Sequence, residues 1–316
     1  MKRVRIITTS GSITGRQAAG AITISSDVIA MLQRDTIDLS FEEFSNIPGS
    51  HFTPVHALEL SQRIDSALLD PDVHGVVVAH GTDTMEETAY LLGLTLNSAK
   101  PVVCVGAMRI ATSTGYDDMT ALVSAVRVAA AVEARDMGVL VMSADEIFAA
   151  HDVQQVNTRL MRAFAAPESG PVGYINNKQV LLRHRPLRRQ FIPSARLEEQ
   201  VYLLRLYQGM DERLLRHCIT DQVAGLVIEA FGSGRIPPWL VPTLGEVVRQ
   251  RIAVVVTSRC GAGGLGDEYG YVGAYHDLRR LGVLFAPDLN GIKARIKLMV
   301  ALGAARNREE LKAWFL

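Results

Sequence analysis

The sequence predicts an α/β fold in two parts, a large N-terminal domain built on a mostly parallel sheet and a smaller C-terminal α/β domain. Two observations carry this. Short apolar runs at residues 4–8, 76–79, 101–106 and 138–143 alternate with segments of helical periodicity. Such alternation builds a parallel sheet with helices on both faces, because parallel neighbours need a crossover connection. The second observation is length with a change of composition. At 316 residues the chain exceeds an ordinary single domain, and Arg183-His184-Arg185-Pro186-Leu187-Arg188-Arg189-Gln190 is a basic run broken by proline. A run of this kind reads as a solvated face, and here as a linker. The expected division is an N-terminal domain over 1–182, a linker over 183–200 and a C-terminal domain over 201–316.

Taken in order, the first strand at 4–8 runs into Thr9-Ser10-Gly11-Ser12-Ile13-Thr14-Gly15, a loop of small hydroxyl residues and glycines that lets backbone approach a ligand. Ser12 has two readings there, a nucleophile or a backbone hydrogen-bond partner. Residues 16–26 are small in composition and read as a lid or a simple connection. A helix over 27–34 and a short strand over 37–44 follow, and Pro48-Gly49-Ser50-His51 interrupts the pattern. Ala57, Leu60, Ile64 and Leu68 then mark an amphipathic helix that ends near Asp70-Pro71. Residues 109–118 form a polar loop after the strand at 101–106, and 119–132 an Ala/Val-rich helix. In the second part, strands at 201–206, 224–228 and 252–258 alternate with helices at 211–217 and 240–249. A last helix at 291–303 carries Ile292, Ile296, Met299 and Val300 on one side.

The most informative stretch is His80-Gly81-Thr82-Asp83-Thr84-Met85-Glu86-Glu87-Thr88-Ala89-Tyr90. The strand at 76–79 precedes it, and Met85, Ala89 and Leu92 recur at helical spacing, so its polar residues occupy a strand-to-helix turn. Open α/β sheets bind ligands at such turns, at the carboxyl edge of the strands. Thr84 with Glu87 three residues on fits a capping box, which sets Thr82 and Asp83 just ahead of a helix whose free N–H groups favour an anion. The pair is thus a hydroxyl beside a carboxylate at a reactive edge, or only part of a helix cap.

Composition narrows the partners. With 33 basic and 33 acidic residues and 48% hydrophobic residues, the chain has no electrostatic bias toward nucleic acid or a membrane surface. Small molecules and copies of itself are the expected partners. The N-terminus starts basic but turns polar too soon for a signal-peptide core, and no apolar run is long enough to cross a bilayer. Cys104, Cys218 and Cys260 lack metal-ligand spacing and form no even set, which fits a reducing, cytoplasmic setting. No metal is expected, and the glycine loop lacks phosphate-binding spacing, so no organic cofactor is expected either.

Together, the serine-glycine loop, the His-Gly-Thr-Asp-Thr turn and the two-part pattern resemble the bacterial-type asparaginase/glutaminase family over nearly the whole chain. Residues 80–92 (HGTDTMEETAYLL) match that family's second signature almost letter for letter. Val105-Gly106-Ala107-Met108-Arg109 with Thr112-Ser113, Gly173-Tyr174-Ile175, Thr257-Ser258-Arg259 and Leu289-Asn290-Gly291-Ile292-Lys293-Ala294-Arg295 resemble further blocks in the right order. The resemblance implies an amidohydrolase that splits a side-chain amide of asparagine or glutamine through an acyl-enzyme. It also implies dimers, usually paired into tetramers, with the site closed by a neighbour's smaller domain.

The resemblance also implies roles, residue by residue. The family's Thr-Gly-Gly-Thr-Ile falls on Thr9-Ser10-Gly11-Ser12-Ile13, which puts Ser12 at the nucleophile position and keeps a hydroxyl there. Thr82 would orient a water or stabilise the oxyanion, and Asp83 would hold the substrate's amino group. Ser50, followed by His51, sits where the family grips the α-carboxylate. Two family groups are replaced: the lid tyrosine by Ala21, and the lysine by Gln155, in Gln154-Gln155. Neither replacement can act as a base. Family loop Gly-Asn-Gly-Asn becomes Gly232-Ser233-Gly234-Arg235, and an acidic residue often lent by the neighbour falls near Tyr275.

A hydroxyl nucleophile at neutral pH needs a base, and general acid–base help is worth roughly two to four orders of magnitude. Replacement groups to consider are His51, Tyr116 and a neighbour's Tyr275 or His276; His151 lies near Gln155 in sequence. Three readings follow: an asparaginase-like hydrolase of this family shifted toward an ester, lactone or activated amide, a slow asparaginase with a rearranged lid, or a non-catalytic amino-acid-binding protein. Amidohydrolase is the favoured label, with Ser12, Thr82 and Asp83 as its reacting residues.

Overall fold

The computed structural model describes residues 1–9, 26–109, 118–187, 189–266 and 270–316. The chain divides into two units, Met1–Phe191 and Ile192–Leu316.

The first unit begins with alternating elements: β1 (Lys2–Thr8), α1 (Ser26–Arg34), β2 (Ile37–Glu43), α2 (Pro54–Leu69), β3 (Val73–Ala79), α3 (Met85–Thr95), β4 (Val102–Val105), α4 (Asp118–Ala130) and β5 (Val139–Ser143). Short strands follow: β6 (Glu146–Ala149), β7 (Gln154–Gln155), β8 (Phe164–Ala165), β9 (Gly173–Asn176) and β10 (Gln179–Leu182). Among the described residues the main sheet has the order β10-β9-β6-β5-β4-β3-β1-β2. From β2 through β5 every neighbouring pair is parallel, while β6, β9 and β10 extend the sheet in antiparallel fashion. The parallel part matches the expectation. The antiparallel strands were not anticipated, because four-residue segments are too short to show a two-residue period against turn-rich surroundings.

Alternation across the pleat sorts the core into two layers. Val4, Ile6, Val77, Ala79, Val103, Val105, Leu140 and Met142 pack with Leu32 of α1 and Leu122 and Val126 of α4. The intervening residues, among them Val76, Val78, Cys104 and Val141, are also fully buried, on the face taken by α2 and α3. Strands covered on both faces read as unbroken apolar runs, which is why 76–79 and 101–106 were legible. The start of α2 is fixed locally. Thr53 accepts from the His56 backbone N–H, the His56 ring faces back to the Thr53 N–H, and Pro54 fills the first helical position.

The second unit contains β11 (Val201–Arg205), α5 (Arg213–Thr220), β12 (Gly225–Ala230), α6 (Val241–Arg249), β13 (Ala253–Ser258), α7 (Tyr275–Leu281), β14 (Leu284–Phe285), α8 (Gly291–Ala304) and α9 (Arg308–Ala313). Its sheet runs β11-β12-β13-β14, all parallel. Leu215, Leu244, Val247 and Leu278 cover Leu226, Ile228, Val254 and Val256 on one face, and α8 packs on β11, β12 and β13. The helix at 291–303 was expected to be the last. Instead α9 follows it, started by the Asn307 side chain accepting from the Glu310 N–H.

The division between the units falls inside the stretch expected as a linker. Within the first unit Arg183 N–H donates to Val172 O (2.8 Å), and the Arg185 and Arg189 guanidinium groups donate to the carbonyls of Arg135 and Asp136. Within the second, Glu198 N–H donates to Met299 O (3.0 Å). Among the described residues no helix is long and apolar enough to cross a membrane.

Candidate active site

β1, β3 and β4 are adjacent and parallel, so their carboxyl ends share one edge. At that edge the ladder continues one residue beyond the strands: Thr9 N–H donates to Ala79 O (3.0 Å) and His80 N–H to Val105 O (2.9 Å). Gly81 then leads into a 3-10 turn, Thr82–Thr84, which passes directly into α3. Thr82 is half-buried and Asp83 exposed. A hydroxyl and a carboxylate therefore stand at the carboxyl edge, as the sequence suggests.

The capping box does not form. Thr84 makes no side-chain cap to α3, and its hydroxyl donates instead to the carbonyl of Gly49 at 2.7 Å. The hydroxyl is directed at a second turn that is pressed against the first. That turn is Gly49–His51, also 3-10. Gly49 is buried against Gly81: a Cβ built on it would lie 3.1 Å from the Gly81 backbone. Only a glycine permits this approach without displacement. Ser50 and His51 are exposed on the same turn. The structure thus brings the Ser50-His51 pair beside the Thr82-Asp83 pair through the Thr84–Gly49 bond.

His80 lies beneath both turns, fully buried. Its Nδ1 is 2.7 Å from Gly81 O and its Nε2 is 3.1 Å from the Thr88 hydroxyl. A carbonyl can only accept, so Nδ1 carries the proton and Nε2 accepts from Thr88. The ring stands edge-on to Phe52, 4.6 Å between centroids, directly after the Ser50-His51 turn. Burial pushes the imidazole down from 6.5 to about 4, partly offset by the bond to Gly81, so it is neutral at physiological pH.

Gly106, at the end of β4, closes the other side. A Cβ there would lie 2.8 Å from both His80 O and the Thr82 methyl. Gln155, in β7, is tied to the first turn of α3 because its backbone N–H donates to the buried Glu86 carboxylate. Its side-chain amide is 3.5 Å from Asn157 O. His151 pairs with Asp152 at 2.7 Å and stacks edge-on against Tyr90 of α3.

Ser12, Ala21 and Tyr116 lie outside the described residues. Tyr275 and His276 belong to α7 of the second unit, where Tyr275 packs on Phe285 (4.3 Å) and meets the His276 ring at 5.8 Å. Cys104, directly under the edge, is fully buried, and burial pushes its thiol up to about 12, which leaves it inert. Among the described residues no group of three or more His, Cys, Asp or Glu is set to hold a metal ion.

Sequence reasoning gave no role of their own to His80, Glu86 and Gly106, and read Thr84 as a helix cap. A histidine at the end of an apolar run, with a threonine eight residues on and one helical turn past Thr84, was a usable signal for the first. Thr84 gave a misleading local signal, and the Glu86 and Gly106 contacts are tertiary.

Comparison with known proteins agrees along the whole length. Residues 3–188 match the family described as Asparaginase, N-terminal, and residues 200–315 the Glutaminase/Asparaginase C-terminal domain. An L-asparaginase of Bacillus licheniformis is 32% identical over 309 residues, covering 96% of each chain. A glutaminase-asparaginase of Pseudomonas aeruginosa is 29% identical over 100% of this chain and 90% of its own. A crystal structure of a probable cytoplasmic L-asparaginase from Campylobacter jejuni superposes with a TM-score of 0.87 at 31% identity, over 100% of this chain and 99% of that one.

Proposed function

Because the chain belongs to the asparaginase/glutaminase family, we propose that it hydrolyses the side-chain amide of an amino-acid-like substrate at the edge formed by the Thr82–Thr84 and Gly49–His51 turns. Asp83 takes the substrate's amino group as an ion pair, and Ser50, with His51, takes its α-carboxylate. Ser12 supplies the nucleophilic oxygen and Thr82 a second hydroxyl at the reacting carbonyl. The Ser12 oxygen adds to the amide carbon, and its proton ends on the departing nitrogen. The C–N bond then breaks with release of ammonia, leaving a serine ester. Water adds to that ester, the C–O bond breaks, and the product carboxylate leaves with the Ser12 hydroxyl restored.

The observation that carries the reading is the join between the two turns. Thr84 holds Gly49 O at 2.7 Å, so the adjacent Thr82 hydroxyl and Asp83 carboxylate share one sheet edge with the hydroxyl of Ser50, which is distant in sequence. That is the arrangement an amino acid with two charged ends and a neutral amide calls for. Ser12 lies three positions beyond Thr9 in sequence, and Thr9 is bonded to Ala79, at the start of the same motif.

A second reading, a hydrolase of an ester, lactone or activated amide, is favoured by Ala21 and Gln155. Neither side chain can move a proton, and a better leaving group than ammonia needs less protonation. We further propose a cytoplasmic protein, as the cysteine usage suggests, that works as a dimer or tetramer, as the resemblance implies.

The test is covalent trapping. Incubation with a slow acyl donor should add mass to the peptide containing Ser12, and Ser12→Ala should abolish it. Labelling that persists in Ser12→Ala would remove Ser12 from the mechanism. Ammonia release from L-asparagine, against turnover of an ester analogue, separates the two substrate readings.

A further inference from the structure

We infer that His80 is a positioning residue: through the Gly81 carbonyl it fixes the Thr82-Asp83 turn, and through Phe52 it couples that turn to the Ser50-His51 turn. The inference rests on the function proposed above and adds to it a residue that touches no substrate.

Three contacts carry it. The Nδ1–H donates to Gly81 O at 2.7 Å. A peptide unit is planar, so holding the Gly81 oxygen also fixes the opposite edge of that unit, the Thr82 N–H, and with it the path on which Thr82 starts. The Thr88 hydroxyl, 3.1 Å from Nε2, donates into the ring and so keeps the proton on Nδ1, where Gly81 needs it. If Nε2 carried the proton, Gly81 O would face a lone pair. The Phe52 ring, edge-on at 4.6 Å, links this unit to the segment that carries Ser50 and His51, while Phe52 is itself wedged between Phe44 and His56.

The surroundings leave the turn few other places to go. Gly106 closes on the Thr82 methyl and His80 O, and Gly49 closes on the Gly81 backbone. Glycine walls prevent collapse onto the turn but make no directional bond to Gly81 O. The ring does, and it is the side chain that reaches Gly81, α3 and Phe52 at once. A buried hydrogen-bonded imidazole used only for packing could be replaced by any side chain of similar volume and polarity. A positioning imidazole cannot, because only one of its two nitrogens faces the turn.

The two amide replacements separate these roles. In His80→Asn the side-chain amide can stand near the Nδ1 position and donate to Gly81 O. In His80→Gln it reaches the Nε2 position, meets Thr88 and leaves Gly81 unbonded. Thr88→Val keeps the ring and removes only the donor to Nε2. The measurements are kcat and KM for ammonia release from L-asparagine, melting temperature, and the melting shift produced by L-aspartate. Displacing a binding turn by a fraction of an ångström to 1 Å costs up to about 100-fold. His80→Gln should lose about 30- to 100-fold in kcat/KM, chiefly through KM, with the L-aspartate shift largely lost. His80→Asn should lose less than about 5-fold although its melting temperature falls as far. Thr88→Val should fall between them.

Equal losses in His80→Gln and His80→Asn, or losses that follow melting temperature alone, would overturn the inference. Should either variant not fold, Thr88→Val decides it: a raised KM at near-native melting temperature supports positioning, and an unchanged KM overturns it. A wild-type protein that releases no ammonia from amides would overturn the functional reading alone. The L-aspartate shifts then decide the role of His80: unequal shifts among the variants support it, and equal shifts, including none, overturn it.

Discussion

The hydroxyl of Thr84 donates to the carbonyl of Gly49 at 2.7 Å, across 35 positions of sequence. This one bond ties the turn bearing Thr82 and Asp83 to the turn bearing Ser50 and His51. Thr84→Val keeps the shape of the side chain and removes the hydroxyl, leaving the Gly49 carbonyl with the Phe52 N–H (3.0 Å) as its donor within the turn. The expected cost is about 0.5–1.5 kcal/mol in denaturant unfolding, together with a weakened response to L-aspartate. Unchanged stability would show that the contact between the turns is held elsewhere.

Gly106 and Gly93 predict opposite signs for the same substitution. A methyl at Gly106 would lie 2.8 Å from backbone and from the Thr82 methyl, whereas at Gly93, inside α3, the nearest atom is Ala150 Cβ at 3.9 Å. Gly106→Ala should destabilise by about 1–3 kcal/mol and depress turnover. Gly93→Ala should stabilise by about 0.5–1 kcal/mol through helix propensity, with turnover unaffected. Melting curves and ammonia release on the two proteins check this.

Acid should act through His80. Burial lowers its imidazole from 6.5 in the unfolded chain to about 4 when folded. Between these values the unfolded chain takes up a proton that the folded one refuses. Its contribution is therefore complete above pH 6.5, is lost as pH falls toward 4, and levels off below. The span is worth up to about 3 kcal/mol. Urea unfolding at pH 7 and pH 4.5 should show this loss in the wild type and a smaller one in His80→Asn.

How much of this was legible in the sequence depended on how local each cause is. Val76-Val77-Val78-Ala79 and Pro101-Val102-Val103-Cys104-Val105 announced buried parallel strands, and the motif from His80 onward placed Thr82 and Asp83 at a strand-to-helix turn. Thr84 with Glu87 read as a cap because a one-dimensional pattern sees only nearby N–H groups, while the actual partner is Gly49. His80 was read as part of a signature, not as a buried ring bridging Gly81 and Thr88. The strands β6, β9 and β10 and the helix α7 are too short to carry a period, and α9 was passed over beyond the helix taken as the last.

Ala21 and Gln155 predict a chemical gain. Restoring the family's proton-handling groups as Ala21→Tyr with Gln155→Lys should raise amide turnover by about 100-fold or more, with a smaller effect on an ester. Gln155 is half-buried beside Glu86, which accepts from its backbone N–H, and a lysine leaves that backbone bond available. No gain on amides would point to the ester, lactone or activated-amide reading.

Thr82, at the carboxyl edge of β3, is proposed to act on the reacting carbonyl of an amino-acid amide. Steady-state ammonia release from L-asparagine by Thr82→Val, compared with the wild type at matched melting temperature, tests it most directly. A fall in kcat of about 100-fold or more is expected, as when a hydrogen-bonding group at a reacting centre is removed. Turnover equal to the wild type would contradict it.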